Sequence, residues 1–345
     1  MAAPMVAGQA ALIRALNPQQ TTAQVVNQII NTAAAIGGAV PRRIDVGVSV
    51  GVNLASAAHI ETTGALKQAC ETSPGNVVVL SHNTKISNGQ RPPATETVAT
   101  GCTLQLEPFV KVEMDQIALT FNGPFTIIGS NKANLILVKS ALSARVLNLN
   151  LGGGESLLII DESKLQATSG DANIMLGALG KIEIKKALMD GSLAASNEIM
   201  IAGGDKFSLH LSDAILNAGS GIRVDVLGTE VAVKANKSSL TTSNGGLNVN
   251  LPGNKGLVEM GSSSLSAGNG VKLMLGGSEA VLKLTPVTAD GGAGDVRLKT
   301  GAAGETKATE SRLTSATLVR IAAGVGGKCE SLENAITAPV RQICP

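Results

Sequence analysis

The sequence predicts a mainly β protein: a single-stranded right-handed parallel β-helix with about 24 residues per coil and three strands per coil, preceded by a short α-helical N-terminal segment. Two observations lead there. Short segments that alternate apolar and polar residues and end in Gly recur at a nearly constant interval. The composition pairs 40 Gly with four Phe and neither Tyr nor Trp. Branched aliphatics then fill a narrow interior, and tight turns close it at short intervals.

The repeat is clearest between residues 173 and 301, in Asn173–Gly177 (NIMLG), Glu198–Gly203 (EIMIAG), Ile222–Gly228 (IRVDVLG), Leu247–Gly253 (LNVNLPG), Val271–Gly276 (VKLMLG) and Val296–Gly301 (VRLKTG). Their first apolar residues, Ile174, Ile199, Ile222, Leu247, Val271 and Val296, are 25, 23, 25, 24 and 25 residues apart. A second series, Leu193, Leu216, Leu240, Leu265 and Val287, precedes them, and a third, Ile182, Phe207, Val231, Val258 and Leu282, follows. Alternation turns Ile222, Val224 and Val226 one way and Arg223 and Asp225 the other. One coil cannot bury its own apolar face, but coils stacked at about 4.8 Å can, and their backbones then pair above and below. Gly and Asn are expected at the corners, where sharp turns demand φ > 0. The pattern extends upstream through Val146–Gly152, Leu135–Ser143 and Phe121–Gly129, with Gly101–Glu113 as the first coil. That makes roughly eight coils, a rod on the order of 40 Å long. Leucine-rich repeats are excluded by the missing LxxLxLxxN signature.

Two helices are expected before the repeat. Met1–Leu16 (MAAPMVAGQAALIRAL) carries small residues nearly all round, which suits a helix packed closely in a core, and Pro4 is tolerated only in its first turn. Arg14 and the uncharged start argue against a signal peptide. After Asn17–Pro18, Thr21 with Gln24 forms a capping-box signature ahead of an apolar stripe of Val25, Val26, Ile29 and Ile30.

MAAPMVAGQAALIRALNP resembles the serine active-site segment of the subtilisin-like proteases, whose motif reads G-T-S-M-A-A-P-x-V-A-G. Thr22-Ala-Gln-Val and Asn31-Thr-Ala look like that family's next helix, and Gly51–Ala58 (GVNLASAA) like the strand and turn that close its catalytic domain. The resemblance covers residues 1–60 and implies the end of a secreted serine endopeptidase domain with the β-helix as an appended module. In the family the nucleophilic Ser immediately precedes the Met that is residue 1 here, and the Asp and His motifs lie further upstream. The resemblance therefore implies a catalytically incomplete chain with no catalytic residue of its own. Of the three histidines, His59, His82 and His210, none stands in the family's His context, and each is expected in a surface or turn position.

The expected organisation is a remnant catalytic domain over 1–60, a disulfide-closed linker and N-terminal cap over 61–100, the β-helix over 101–320 and a C-terminal cap over 321–345. The four cysteines form two local pairs, Cys70 with Cys102 and Cys329 with Cys344, read either as two disulfides or as four thiols in a reducing cell. Oxidised pairs would place the protein outside the cytosol, secreted or at a cell surface. In the C-terminal cap a short helix is expected, with Ser331 before Leu332 and Ile336.

The remaining chemistry is sparse. With 28 basic against 26 acidic residues, net charge +2 and no Lys/Arg run, nothing points to nucleic acid or an anionic membrane surface. No stretch is long and apolar enough to span a bilayer. Polysaccharide cleavage would need paired carboxylates on one face, whereas the outward positions Met175, Met200, Arg223, Asn248, Lys272 and Arg297 hold none. Gly152–Gly154, Gly203–Gly204 and Gly276–Gly277 lack the Lys-Ser/Thr of a phosphate loop, and no cofactor or metal is expected. The rod's expected partner is a protein substrate or a cell-surface polymer, and a non-enzymatic, adhesin-like role is the alternative to the protease module.

Overall fold

The computed structural model describes residues 60–88 and 95–344 throughout, and scattered positions between 6 and 43. Two compact units result, Met1–Ala58 and His59–Pro345.

The second unit is a parallel β-solenoid of three long sheets with 12, 11 and 11 strands, each strand pairing with the strands three places away in sequence. Sheet 1 starts at Val77–Leu80, sheet 2 at Thr84–Ser87 and sheet 3 at Thr95–Val98, so the first coil precedes the Gly101–Glu113 expected from sequence. About eleven turns stack to a length of about 50 Å.

The expected column of aliphatic residues forms. Ile199, Ile222, Leu247, Val271, Val296 and Val319 pair strand to strand, and all are fully buried. Each such side chain contributes roughly 1.5–3 kcal/mol of hydrophobic stabilisation. Some residues sit elsewhere than the repeat suggests. Ala172 pairs with Ile199, and Ile174 pairs with Ile201. Leu193 is 58% exposed in a turn, and Met189 fills the column of Leu216. Phe207 and Val231 are buried at corners, two residues before the column members Leu209 and Val233. Loops of unequal length displace the spacing, so a fixed step tracks the coils but misses the register.

The corners overturn the expectation of Gly and Asn. Between sheets 2 and 3 the left-handed residues include Lys139, Glu162, Lys186, Asp213, Lys237 and Glu310, with φ from 46° to 51°. Between sheets 1 and 2 they include Lys132, Glu155, Lys206, Glu230 and Lys255. Left-handed φ costs an L-residue about 1–2 kcal/mol. The cost is offset because each corner N–H continues the ladder into the next coil, as in Lys139 N–H to Asp161 O and Glu162 N–H to Lys185 O, both 2.9 Å. The side chains also pair along the corners: Glu162 meets Lys139 at 3.6 Å and Lys186 at 3.5 Å.

One residue past the corner, buried serines form a second ladder. Ser140 Oγ accepts the N–H of Ile117 at 3.2 Å and donates to Val138 O at 2.8 Å. The same arrangement recurs at Ser238, Ser263 and Ser311, and Ala187 and Ala214 interrupt it. Glycine is required where coils touch. A Cβ on Gly245 would lie 1.1 Å from the carbonyl oxygen of Ser220.

At the N-terminal end, helix α1 (Thr63–Thr72) packs on the first coil. Thr62 caps it by accepting the Ala65 N–H at 3.1 Å, and Leu66 and Cys70 are fully buried. Cys70 is bonded to Cys102, and Cys329 to Cys344, as paired from sequence. The expected C-terminal helix is absent: Lys328–Leu332, Ala335–Thr337 and Val340–Ile343 are strands that extend all three sheets. The alternation of Cys329, Ser331 and Ile336 suits a further coil better than an isolated helical turn, because the preceding coil already offers a paired edge.

In the first unit, residues 6–8, 10–11, 14, 22, 25–26 and 29 are helical. Val25 and Ile29 are buried with Ala10 against them. Val26, placed in the apolar stripe, is 46% exposed, and Ala7, Gly8 and Ala11 are exposed rather than packed all round. Ala34–Ala35 pairs antiparallel with Arg42–Arg43. Met1–Met5, Gln24, Ile30, Gly51–Ala58, His59 and, within the expected N-terminal cap, Pro92 and Pro93 lie outside the described residues.

Candidate functional site

Because side chains alternate, every strand sends residues outward, and parallel register converts residues one coil apart into neighbours about 4.8 Å apart. Function therefore has to be sought in outward columns. The outward centre of sheet 2 reads Glu183, His210, Lys234, Glu259, Lys283, Lys307 and Glu330. Most of these alternate in sign. Lys234 bonds Glu259 at 3.1 Å and Lys307 bonds Glu330 at 2.8 Å. Glu183 lies between Lys181 and Lys185, each at 2.5 Å, and their hydrogen bonds hold its pKa down at about 2.

Over the edge of this column a groove of about 450 Å³ opens, lined among others by Ser212, Asn236, Gly261, His210 and Lys283. Burial, reinforced by Lys181, pushes the His210 pKa below its ordinary value, so the ring is neutral near pH 7. His210 stands mid-strand, facing outward, and makes no hydrogen bond that would set it against a nucleophile. His82 lies in the turn before sheet 2 begins, where its carbonyl accepts the Thr84 hydroxyl at 3.0 Å. Among the described residues no three His, Cys, Asp or Glu side chains gather as a metal site, and no helix is long and apolar enough to cross a membrane.

Sheet 1 differs. Its outward column begins with uncharged groups, Thr126, Asn148 and Asn173, bonded to one another at 3.4 and 3.0 Å. It then runs Met200, Arg223, Asn248, Lys272, Arg297, Arg320 and Gln342. Met175, assigned to this column from sequence, belongs to its neighbour beside Asn150 and Ala202. Arg223 is neutralised by Asp225. Lys272, Arg297 and Arg320 stack directly on one another, and Lys299 lies beside them, two residues beyond Arg297 on the same strand. Among the described residues, Asp295 is the one carboxylate bonded to this stack; it takes the Thr317 hydroxyl at 2.6 Å and Arg297 at 2.5 Å. Those two bonds hold its pKa below the ordinary carboxylate range. Arg320 Nε has no hydrogen-bond partner.

Arg223, Lys272 and Arg297 are legible as outward residues from sequence, but the stack is not, because its cations are 23 to 25 residues apart and form no run. Counting charges at the coil spacing is the signal that finds it.

These features define a parallel β-solenoid with charged outer ladders and two disulfides. No family model, curated protein or solved structure matches the chain.

Proposed function

We propose that the solenoid is a non-catalytic binding module, a rigid rod that holds a protein or a cell-surface polymer along an outer face. The observation that supports this reading most is the unbroken register of three sheets over about eleven turns. A side chain placed outward on one coil is repeated in direction on the next, which suits an extended ligand lying along the axis. The outward His210, unoriented by any hydrogen bond, supplies no acid–base pair. Two disulfides accord with a location outside the cytosol. Cosedimentation of the purified chain with cell-wall preparations and insoluble polymers tests the reading. Retention by at least one polymer is expected, and no retention by any would end it.

A second reading places the rod behind a subtilisin-like catalytic domain in its parent protein. The segment MAAPMVAG favours it, with residues 6–8 helical as the motif's helix would be. In that setting the rod would bring the protease to its substrate or surface. The 345-residue polypeptide alone is expected to hydrolyse no casein or peptide substrate, and measurable peptidase activity from it would overturn this part.

A further inference from the structure

We infer that the Lys272–Arg297–Arg320 stack on sheet 1 is a binding site for an anionic polysaccharide. The inference rests on the reading of the rod as a binding module and names the face and ligand class. Like charges directly opposite on adjacent strands destabilise a sheet, and on sheet 2 most neighbours alternate Lys with Glu, as at Lys234 and Glu259, while its one like pair, Lys283 and Lys307, is bracketed by Glu259 and Glu330. Here three cations follow without interruption. Asp295 forms an ion pair with Arg297 alone, and among the described residues neither Lys272 nor Arg320 forms an ion pair with a carboxylate. A ligand bearing negative groups at the coil spacing would relieve the repulsion.

The ends of the stack indicate what else the ligand carries. Asn248 pairs in register with Lys272, and Gln342 with Arg320, so an amide able to bond hydroxyl groups flanks the cations on both sides. An extended chain of pyranose units advances per unit by a distance comparable to one coil, and presents hydroxyls between its acidic groups. Nucleic acid fits less well. The chain has no Tyr or Trp, Phe121, Phe125 and Phe207 are buried, and the exposed Phe109 stands at a corner of the second coil, so no ring beside Lys272, Arg297 and Arg320 can stack a base.

The test measures binding of the full chain to polygalacturonate, dextran sulfate, neutral dextran and duplex DNA. Polygalacturonate and dextran sulfate separate carboxylate from sulfate as the preferred acid. Binding to at least one of them is expected, weakening at least tenfold between about 50 and about 200 mM salt. The triple variant Lys272→Gln/Arg297→Gln/Arg320→Gln should lose at least tenfold in affinity, whereas Lys234→Gln/Lys283→Gln on sheet 2 should lose less than twofold. Lys272→Glu, an exposed single change that leaves the packing alone, should lose at least threefold and serves if the triple variant folds poorly. Equal binding of neutral dextran, tighter binding of DNA, or unchanged polyanion binding by the variants would overturn the inference. Undiminished retention of those variants by a cell-wall fraction would overturn the site while leaving the binding-module reading standing.

Discussion

Ser163 Oγ accepts the backbone N–H of Ser140 at 3.0 Å from one coil away while donating to the carbonyl of Asp161 at 2.7 Å. Both serines are buried, so no water can replace either bond. The left-handed corner residue before Ser140 turns its following N–H toward the interior, where the strand ladder offers no carbonyl. Ser163 supplies the acceptor. Ser163→Ala is expected to leave that N–H unsatisfied and to cost about 1–3 kcal/mol. Urea denaturation checks it: the midpoint should fall with the slope unchanged, and an unshifted midpoint would show that the ladder contributes nothing.

Glu183 gives the rod an acid-sensitive element. Its folded pKa, about 2, lies below the ordinary value of 4.5 because Lys181 and Lys185 hydrogen-bond the carboxylate. A depressed folded pKa means the contribution is complete above pH 4.5 and is lost as pH falls toward 2. The Glu183 side chain is 14% exposed while its lysines are 45% and 49% exposed, so screening reduces the effect to about 1–2 kcal/mol. Thermal melts at pH 6 and pH 3 should differ less for Glu183→Gln than for the wild type. Equal pH dependence in the two proteins would contradict this.

The legible part of the fold was the part fixed by alternation. Ile199, Ile222 and Leu247 could be stacked from sequence because each begins an apolar-x-apolar strand, and burial on one face fixes register to within two residues. The corners were illegible because propensity favours Gly at φ > 0, whereas Lys139 and Glu162 hold that conformation through bonds to the next coil that local sequence does not show. The last coil was missed for a related reason. Its inward positions mix Cys329 and Ser331 with Ile336 and Ile343 and form no clear apolar alternation, and only the paired edge of the preceding coil makes strands of them. Of the candidate site, the outward direction of Lys272 and Arg297 was legible, but their contact was not.

Close coil contacts predict opposite outcomes for two chemically identical substitutions. A Cβ at Gly245 would run into the Ser220 carbonyl, which is backbone of the neighbouring coil and cannot swing aside. At Gly154 the nearest atom to a new Cβ is the Ala178 carbonyl oxygen at 3.7 Å, an ordinary contact. Gly245→Ala should therefore destabilise by about 2 kcal/mol or more through forced backbone shifts. Gly154→Ala should be neutral or stabilise by about 0.4–1 kcal/mol, since it restricts the unfolded chain. Calorimetric melting of both variants decides the matter, and similar shifts for the two would refute the close-packing account.

The two ends of the rod should respond differently to losing a disulfide. Cys70–Cys102 closes a separation of 32 residues and joins buried groups of helix α1 and sheet 1. Cys329–Cys344 closes 15 residues in the coil of Lys328–Ile343, whose strands are largely exposed. In the chain-entropy model the two loops are worth roughly 3–4 and about 3 kcal/mol. The consequences diverge because the last coil can open without disturbing Ile222 or Leu247, whereas releasing Cys70 exposes Leu66 and the end of the hydrophobic column. Cys329→Ala/Cys344→Ala should speed amide exchange at Lys328–Ile343 and leave Gly221–Val226 protected. Cys70→Ala/Cys102→Ala should lower the global melting temperature. If removing the C-terminal bond lowered protection at Gly221–Val226 as much as at Lys328–Ile343, the last coil would have to be an integral part of one cooperative unit.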